Sequence, residues 1–213
     1  VQLQSLGPNS DGVNPESCDR VLIENCFFDT GDDCIAIKSG RNNDGRRLNV
    51  PCKNILVRNC QMQRGHGAVV IGSEISGGAE NILVENCTMS SPDLERGLRI
   101  KTNARRGGVI RNIHLRNITI GQVQDAIVIN FHYEEGLQGQ FMPEVGGIKI
   151  ENLMCAQAKR IFDPRGFAAA PIGQVELKNC RFNQAESLGV IEHAAGLTIE
   201  TSYINNKPLQ LPT

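Results

Sequence analysis

The 213-residue sequence contains no tryptophan, two tyrosines and seven phenylalanines. So few rings exclude the large-aromatic core common in compact mixed domains and leave a core of stacked aliphatic side chains. No apolar run approaches the roughly 18 residues of a membrane span. The formal net charge is −1, which excludes a global field drawing in nucleic acid or an acidic membrane, so attraction for an anionic ligand has to be local. Cysteines are present, eight of them, but none shows the close paired spacing of a zinc site, and no metal or other cofactor is expected. The opening Val1-Gln2-Leu3-Gln4-Ser5-Leu6 has neither the basic region nor the apolar run of a signal peptide.

What is present is repetition. Val21-Leu-Ile-Glu-Asn-Cys26, Ile55-Leu-Val-Arg-Asn-Cys60 and Ile82-Leu-Val-Glu-Asn-Cys87 are versions of one phrase. Looser copies stand at Ile113–Ile118, Ile148–Leu153 and Val175–Cys180. The asparagine falls at 25, 59, 86, 117, 152 and 179, at intervals of 27 to 35 residues. Most copies are followed by a second short apolar run, such as Cys34–Ile37, Ala68–Ile71, Leu98–Ile100 and Ala126–Ile129. No segment between them sustains a helical period. Short strands repeating at this interval predict an all-β chain, a single-stranded parallel β-helix, with 1–213 as one domain. Stacked asparagines predict a hydrogen-bonded ladder at one corner. The recurrent Cys26, Cys60, Cys87 and Cys180 read as a column of buried free thiols, with one or two disulfide bridges as the alternative. Arg41–Arg47, with its Asn43-Asp44-Gly45 turn signal, and Tyr133–Pro143 read as loops, and Asn205–Pro208 as a fraying tail. Nothing before Val21 reads as a cover for the first coil, so coils upstream of this chain are expected.

The chemistry centres on Thr30-Gly31-Asp32-Asp33-Cys34. Neighbours on a strand point to opposite faces, so both carboxylates share a cleft only if the backbone bulges there, which Gly31 eases. Paired carboxylates are the equipment of acid–base work on a glycosidic bond. A solvated Asp-Asp turn is the plainer alternative, but this pair has company. Asp11 lies 21 residues before Asp32, and Asp33, His66 and Arg99 follow one another at 33-residue steps. If each interval is one coil, an acid cluster, an imidazole and the cations Arg99 and Lys101 share one face. Arg99 and Lys101 then read as a clamp for an anionic group. His66 stands between two glycines with room for a ligand, whereas His114, His132 and His193 read as structural.

Four phrases, Asn9-Ser10-Asp11-Gly12, Gly31-Asp32-Asp33, Gly65-His66-Gly67 and Arg99-Ile100-Lys101, occur in an order that resembles the polygalacturonases, glycoside hydrolase family 28. The likeness runs from about Pro8 to Gly136 and continues weakly to the end, with Ser10 in place of the more usual Thr. Val13–Cys18 and the insert after Gly40 are similar to bacterial exo-acting members. The resemblance implies a right-handed, pectin-lyase-like β-helix that cleaves α-1,4-galacturonosidic bonds with inversion. It implies Asp32 as general acid, Asp11 and Asp33 as holders of the attacking water, and His66 as tuner of the acid. It also implies Arg99, Lys101 and, less directly, Tyr133 as contacts to the sugar carboxylate. A pectic polysaccharide is the implied partner, and a secreted or periplasmic address belongs to the same resemblance. An inverting pair is expected at roughly 6.5–9.5 Å between carboxyls, with the acid held protonated by neighbouring negative charge. Rhamnogalacturonan or xylogalacturonan hydrolysis, and a non-catalytic β-helix that binds acidic polysaccharide, remain open as alternatives.

Overall fold

The computed structural model describes residues 1–211. Each repeat folds as predicted from its alternation. In Cys52–Arg58 the side chains of Cys52, Ile55 and Val57 are buried, while Lys53, Leu56 and Arg58 face outward. Ala79–Glu85 and Ile172–Lys178 repeat that pattern, and so do the first residues of Val109–Asn130 and Glu144–Arg165. These segments pair in parallel, coil upon coil, as the first wall of the solenoid. After each comes a sharp corner, a second wall, and then a third wall that includes Ile35–Ile37, Val69–Ile71 and Arg96–Lys101. The 22-residue strands Val109–Asn130 and Glu144–Arg165 pass through all three walls. The architecture is a right-handed parallel β-helix. One apolar core, from Ile23 to Leu209, fills its interior. No helix among the described residues is long and apolar enough to cross a membrane.

The corner after the first wall is built on backbone need. Asn25, Asn59, Asn86, Asn117, Asn152 and Asn179 all adopt φ of 53–55°, a left-handed conformation that asparagine tolerates better than other residues with a Cβ. The amides of the last four form the expected ladder, Asn179 to Asn152 at 2.7 Å, Asn152 to Asn117 at 3.0 Å and Asn117 to Asn86 at 3.1 Å. The cysteine that follows four of these corners is a free thiol. Its Sγ donates back across the turn to the carbonyl two residues earlier, at 3.2–3.4 Å for Cys26, Cys60, Cys87 and Cys180. A second ladder, Asn112 to Asn81 to Asn54 to Asp19, stands where the first wall begins. The sequence reading passed over it, although an Asn stands directly before Ile55, Ile82 and Ile113.

The last outward residue before that corner alternates in sign along the solenoid. Glu24, Arg58, Glu85, Arg116, Glu151, Lys178 and Glu200 are register partners in succession. Ion pairs close at 2.7 Å for Arg58–Glu24, 2.6 Å for Arg116–Glu85 and 3.0 Å for Lys178–Glu200.

Three expectations are corrected. Asn42–Leu48, read as a loop, is a seven-residue helix closed by Asn49 at φ 50°. It is held from outside, because the Ser76 hydroxyl accepts the Asn42 N–H and Arg46 donates to the Arg105 and Arg106 carbonyls. Seven residues show too little periodicity to be read from sequence. The supposed fraying tail is ordered: Asn205 and Asn206, at φ 49° and 63°, turn the chain so that Tyr203–Ile204 pairs antiparallel with Lys207–Pro208. Two consecutive left-handed residues make the hairpin turn that matches strand twist, and the Asn205 amide bonds both backbone groups of Ala185. The stretch before Val21 also contributes a strand, Gln2–Ser5, which lies beside Phe27–Thr30 and covers that part of the first coil.

Candidate active site

The acids gather at the corner between the second and third walls. The expected irregularity is present, displaced upstream. Phe28 pairs with Met62 but Asp29 pairs with Arg64, so the extra residue, Gln63, belongs to the neighbouring coil. Gly31 serves by size rather than by backbone freedom, since a Cβ there would lie 2.1 Å from the Gly7 carbonyl oxygen. The chain then passes through Asp32 and Asp33 with Asp33 buried and Asp32 half-buried. The Asp33 N–H donates to Asp11 Oδ1 at 3.1 Å, and the Asp32 N–H to the Ser10 carbonyl at 3.2 Å. One oxygen from each of Asp11, Asp32 and Asp33 lies within 4.8 Å of the others.

The equal 33-residue steps do not describe one column. Ile35 pairs with Val69 and Val69 with Leu98, so Asp33 stands opposite Gly67 and Asp32 opposite His66, while Arg99 pairs with Val70. The groups meet because Gly67 has no side chain. A Cβ there would lie 3.5 Å from Asp33 Oδ1 and 3.6 Å from the Arg99 Cβ, and it would collide with Val70. Through this gap Lys101 Nζ donates to Asp33 Oδ2 at 2.8 Å, and an Arg99 Nη1 lies 3.7 Å from Oδ1. Asp33 Oδ1 accepts no hydrogen bond although it is buried, so one lone-pair-bearing oxygen is left for a further donor.

The other expected residues join this group. His66 Nδ1 lies 2.9 Å from Asp32 Oδ1. Tyr133 lies above the two cations, its ring centre 5.6 Å from the Arg99 guanidinium carbon and 5.4 Å from Lys101 Nζ. Asp11, Asp32, Asp33, His66, Arg99, Lys101 and Tyr133 thus form one connected cluster.

Burial pushes the Asp33 carboxyl above its ordinary value of 3.8, against the pull of Lys101 and Arg99; Asp32 adds only the smallest contribution upward. Neighbouring negative charge, expected to be the main influence at the site, is therefore outweighed at Asp33 by desolvation. Burial also lowers Arg99 and raises Tyr133. It carries the thiol of Cys34, beneath the acids, up to about 12, which leaves it a packing group rather than a nucleophile.

Sequence reasoning missed several supporting residues. Lys38 Nζ lies 3.3 Å from Asp11 Oδ2 and 3.5 Å from Glu74. Burial would lower this ammonium, but Glu74 and Asp11 together hold it above its ordinary range. The Asn14 amide donates to the same Asp11 oxygen at 2.9 Å. Alternation from the buried Ile35 and Ile37 turns Lys38 outward, and that was the signal available. Arg106 is fully buried beneath the loop that carries Tyr133, and it bonds Glu134 at 2.8 Å and Asn42 at 2.9 Å. Asn103 holds the Tyr133 carbonyl at 2.9 Å and Glu135 at 2.8 Å. The loop and the short helix are therefore one unit, set on a buried cation.

Residues 1–160 match the sequence model of Glycosyl hydrolases family 28. The chain is 29% identical over 183 residues to a probable polygalacturonase of Vitis vinifera, covering 84% of this chain and 37% of that protein. It is 29% identical over 181 residues to an endo-polygalacturonase of Pectobacterium carotovorum subsp. carotovorum, covering 85% and 42%. Among solved structures, a hyperthermoactive exopolygalacturonase from Thermotoga maritima superposes with a TM-score of 0.93 at 37% identity, over 98% of this chain and 47% of that one. The chain therefore spans less than half the length of these relatives.

Proposed function

Because the chain belongs to the glycosyl hydrolases of family 28, we propose that it carries the catalytic coils of an exo-acting polygalacturonase, with residues 1–213 forming one β-helix domain. The substrate is the α-1,4-linked galacturonate chain of pectin, and the location that fits an extracellular polymer is secreted or periplasmic. The observation that carries this reading is the cluster of three carboxylates with oxygens within 4.8 Å of one another, each held by a different partner set.

In this reading Asp32 is the general acid, and His66, bonded to it at 2.9 Å, fixes its orientation and shares its proton. Asp11 and Asp33 hold the attacking water. The unpartnered Oδ1 of Asp33 accepts one water proton, while Lys101 and Lys38 hold the carboxylates of Asp33 and Asp11 in place. Arg99, with Tyr133 above it, meets the carboxylate of the sugar on the leaving side, and Lys101 shares that contact from behind.

Oxygens within 4.8 Å are closer than the roughly 6.5–9.5 Å between carboxyl groups of an inverting pair. A retaining mechanism, with a carboxylate as nucleophile, is therefore a second reading. Inversion is favoured because both candidate nucleophiles are anchored by other groups. Asp33 is buried against Lys101, and Asp11 accepts from Asn14, Lys38 and the Asp33 N–H. Proton NMR of the first product decides: the β-anomer marks inversion and the α-anomer retention.

The test of the function itself is product release from polygalacturonate, resolved by chromatography. Mono- or digalacturonate from the outset is the expected result, and a ladder of intermediate oligomers would replace exo with endo action. Faster release from rhamnogalacturonan or xylogalacturonan would change the substrate. Binding of oligogalacturonide without release would leave a non-catalytic polysaccharide binder.

A further inference from the structure

The rows that form the catalytic cluster continue toward the C-terminal coils. Arg96 pairs with Asp125 and Asp125 with Arg160, which extends the row of Asp33, while Lys101, Asn130 and Arg165 form a parallel row. Between these rows lies a cavity of about 360 Å³ that adjoins Arg99 and is lined also by Arg96, Arg160 and Arg165. Its charges are layered. Asp125 and Asp163 are buried, whereas the side chains of Arg160 and Arg165 are 41% and 33% exposed.

Arg160 grips Asp125 through Nε and Nη2 at 2.6 and 2.7 Å, which leaves Nη1 only a 3.9 Å approach to Asp163. Arg165 donates twice to one oxygen of Asp163, at 3.1 Å each. Arg96 donates to the His66 carbonyl at 3.2 Å and to Glu95. Glu192, at the rim, lies 3.9 Å from His132. Buried carboxylates thus fix the planes of half-buried guanidiniums, so the forks are set before a ligand arrives and little side-chain entropy is lost on binding.

We propose that this cavity is a second carboxylate-binding station for the polymer, beyond the sugar held at Arg99. The inference rests on the reading of Asp32 as the acid. Asp11, one of the two holders of the water, lies on the coil before Asp32, and Arg99, which meets the leaving-side sugar, lies two coils after it, so the leaving portion runs downstream. Successive coils stand about 4.8 Å apart, which carries the chain past Arg96 to Arg160 and Arg165. The anion recognised is a galacturonate carboxylate two or more units from the cleaved bond.

The test is calorimetric titration of di-, tri- and tetragalacturonate into Asp32→Asn protein, in which the ligands persist. Affinity is expected to rise about tenfold from the dimer to the longer chains, the scale of one charge-assisted contact. Arg160→Gln would leave Asp125 buried and alone, so it is paired with Asp125→Asn, and folding is checked by thermal melting. In this double variant the gain with length is expected to vanish, whereas Lys149→Gln, on the first wall, keeps it. An unchanged gain in the double variant, or no gain in the parent, would overturn the station. Product release by the unmodified chain is scored separately, so an inactive chain whose gain with length is present in the parent and lost in the double variant refutes the hydrolase reading and leaves the carboxylate-binding station standing.

Discussion

Two corners of the same solenoid obey different rules. At the asparagine corner six successive coils solve one problem with one residue, a left-handed turn, and from Asn86 to Asn179 the amides bond coil to coil. At the acid corner each coil contributes something different: Asp11, then Asp32 and Asp33, then His66 and Gly67, then Arg96 and Arg99. The first corner is uniform because backbone geometry dictates it. The second is free to vary because its backbone is satisfied by parallel pairing, such as Cys34 N–H to the Gly67 carbonyl at 2.8 Å. Chemistry collects where the fold leaves side chains unconstrained.

The sharpest way to break this contrast is Asp32→Asn. It removes the proposed acid and is expected to lower kcat by about 10²–10⁴-fold, with little change in melting temperature, when product release and melting are measured on the same sample. An equal loss of activity from an asparagine-corner variant would dissolve the division of labour.

Lys101→Met comes next, because it belongs to both worlds. It strands a buried carboxylate, at an expected cost of about 3–5 kcal/mol in denaturant unfolding. The pH dependence has a definite sign. Asp33 is raised in the fold, so its contribution to stability is full below the unfolded value and fades as pH rises through the folded one. Lys101 pulls that value down, so its loss raises it further, and the variant is expected to be more impaired at neutral pH than near pH 4. The acid limb of the kcat/KM profile is expected to move to higher pH, and a limb that stays in place would remove Asp33 as the titrating group.

Asn117→Ala tests the other corner. It forces alanine into φ 55° and cuts two rungs of the ladder, for about 1–3 kcal/mol of stability, with KM unchanged. Smallest is Arg116→Glu, which sets like charges against Glu85 and Glu151. About 1 kcal/mol is expected, shrinking in high salt.

The same contrast explains what could be read from sequence. The repeated Asn-Cys phrase and its alternation were legible because one physical demand recurs in every coil. The seven clustered residues were legible through their order, but the equal steps from Asp33 to His66 to Arg99 misled, since the actual register sets Asp33 against Gly67. Lys38 and Arg106 were not found. Each occurs once, and its importance lies in a partner on another coil, Asp11 for one and Glu134 for the other. The short helix escaped for a related reason, being held by Ser76 and Arg46 rather than by its own period.

The alternation of Glu24, Arg58, Glu85, Arg116, Glu151, Lys178 and Glu200 has a consequence for how such a chain evolves. It works as a parity check. Deleting any one internal coil sets like charges face to face along the seam, whereas deleting two neighbouring coils restores every match. Coils in this stretch are therefore gained or lost most easily in pairs, and a copying error of a single repeat is penalised at the surface before it reaches the core.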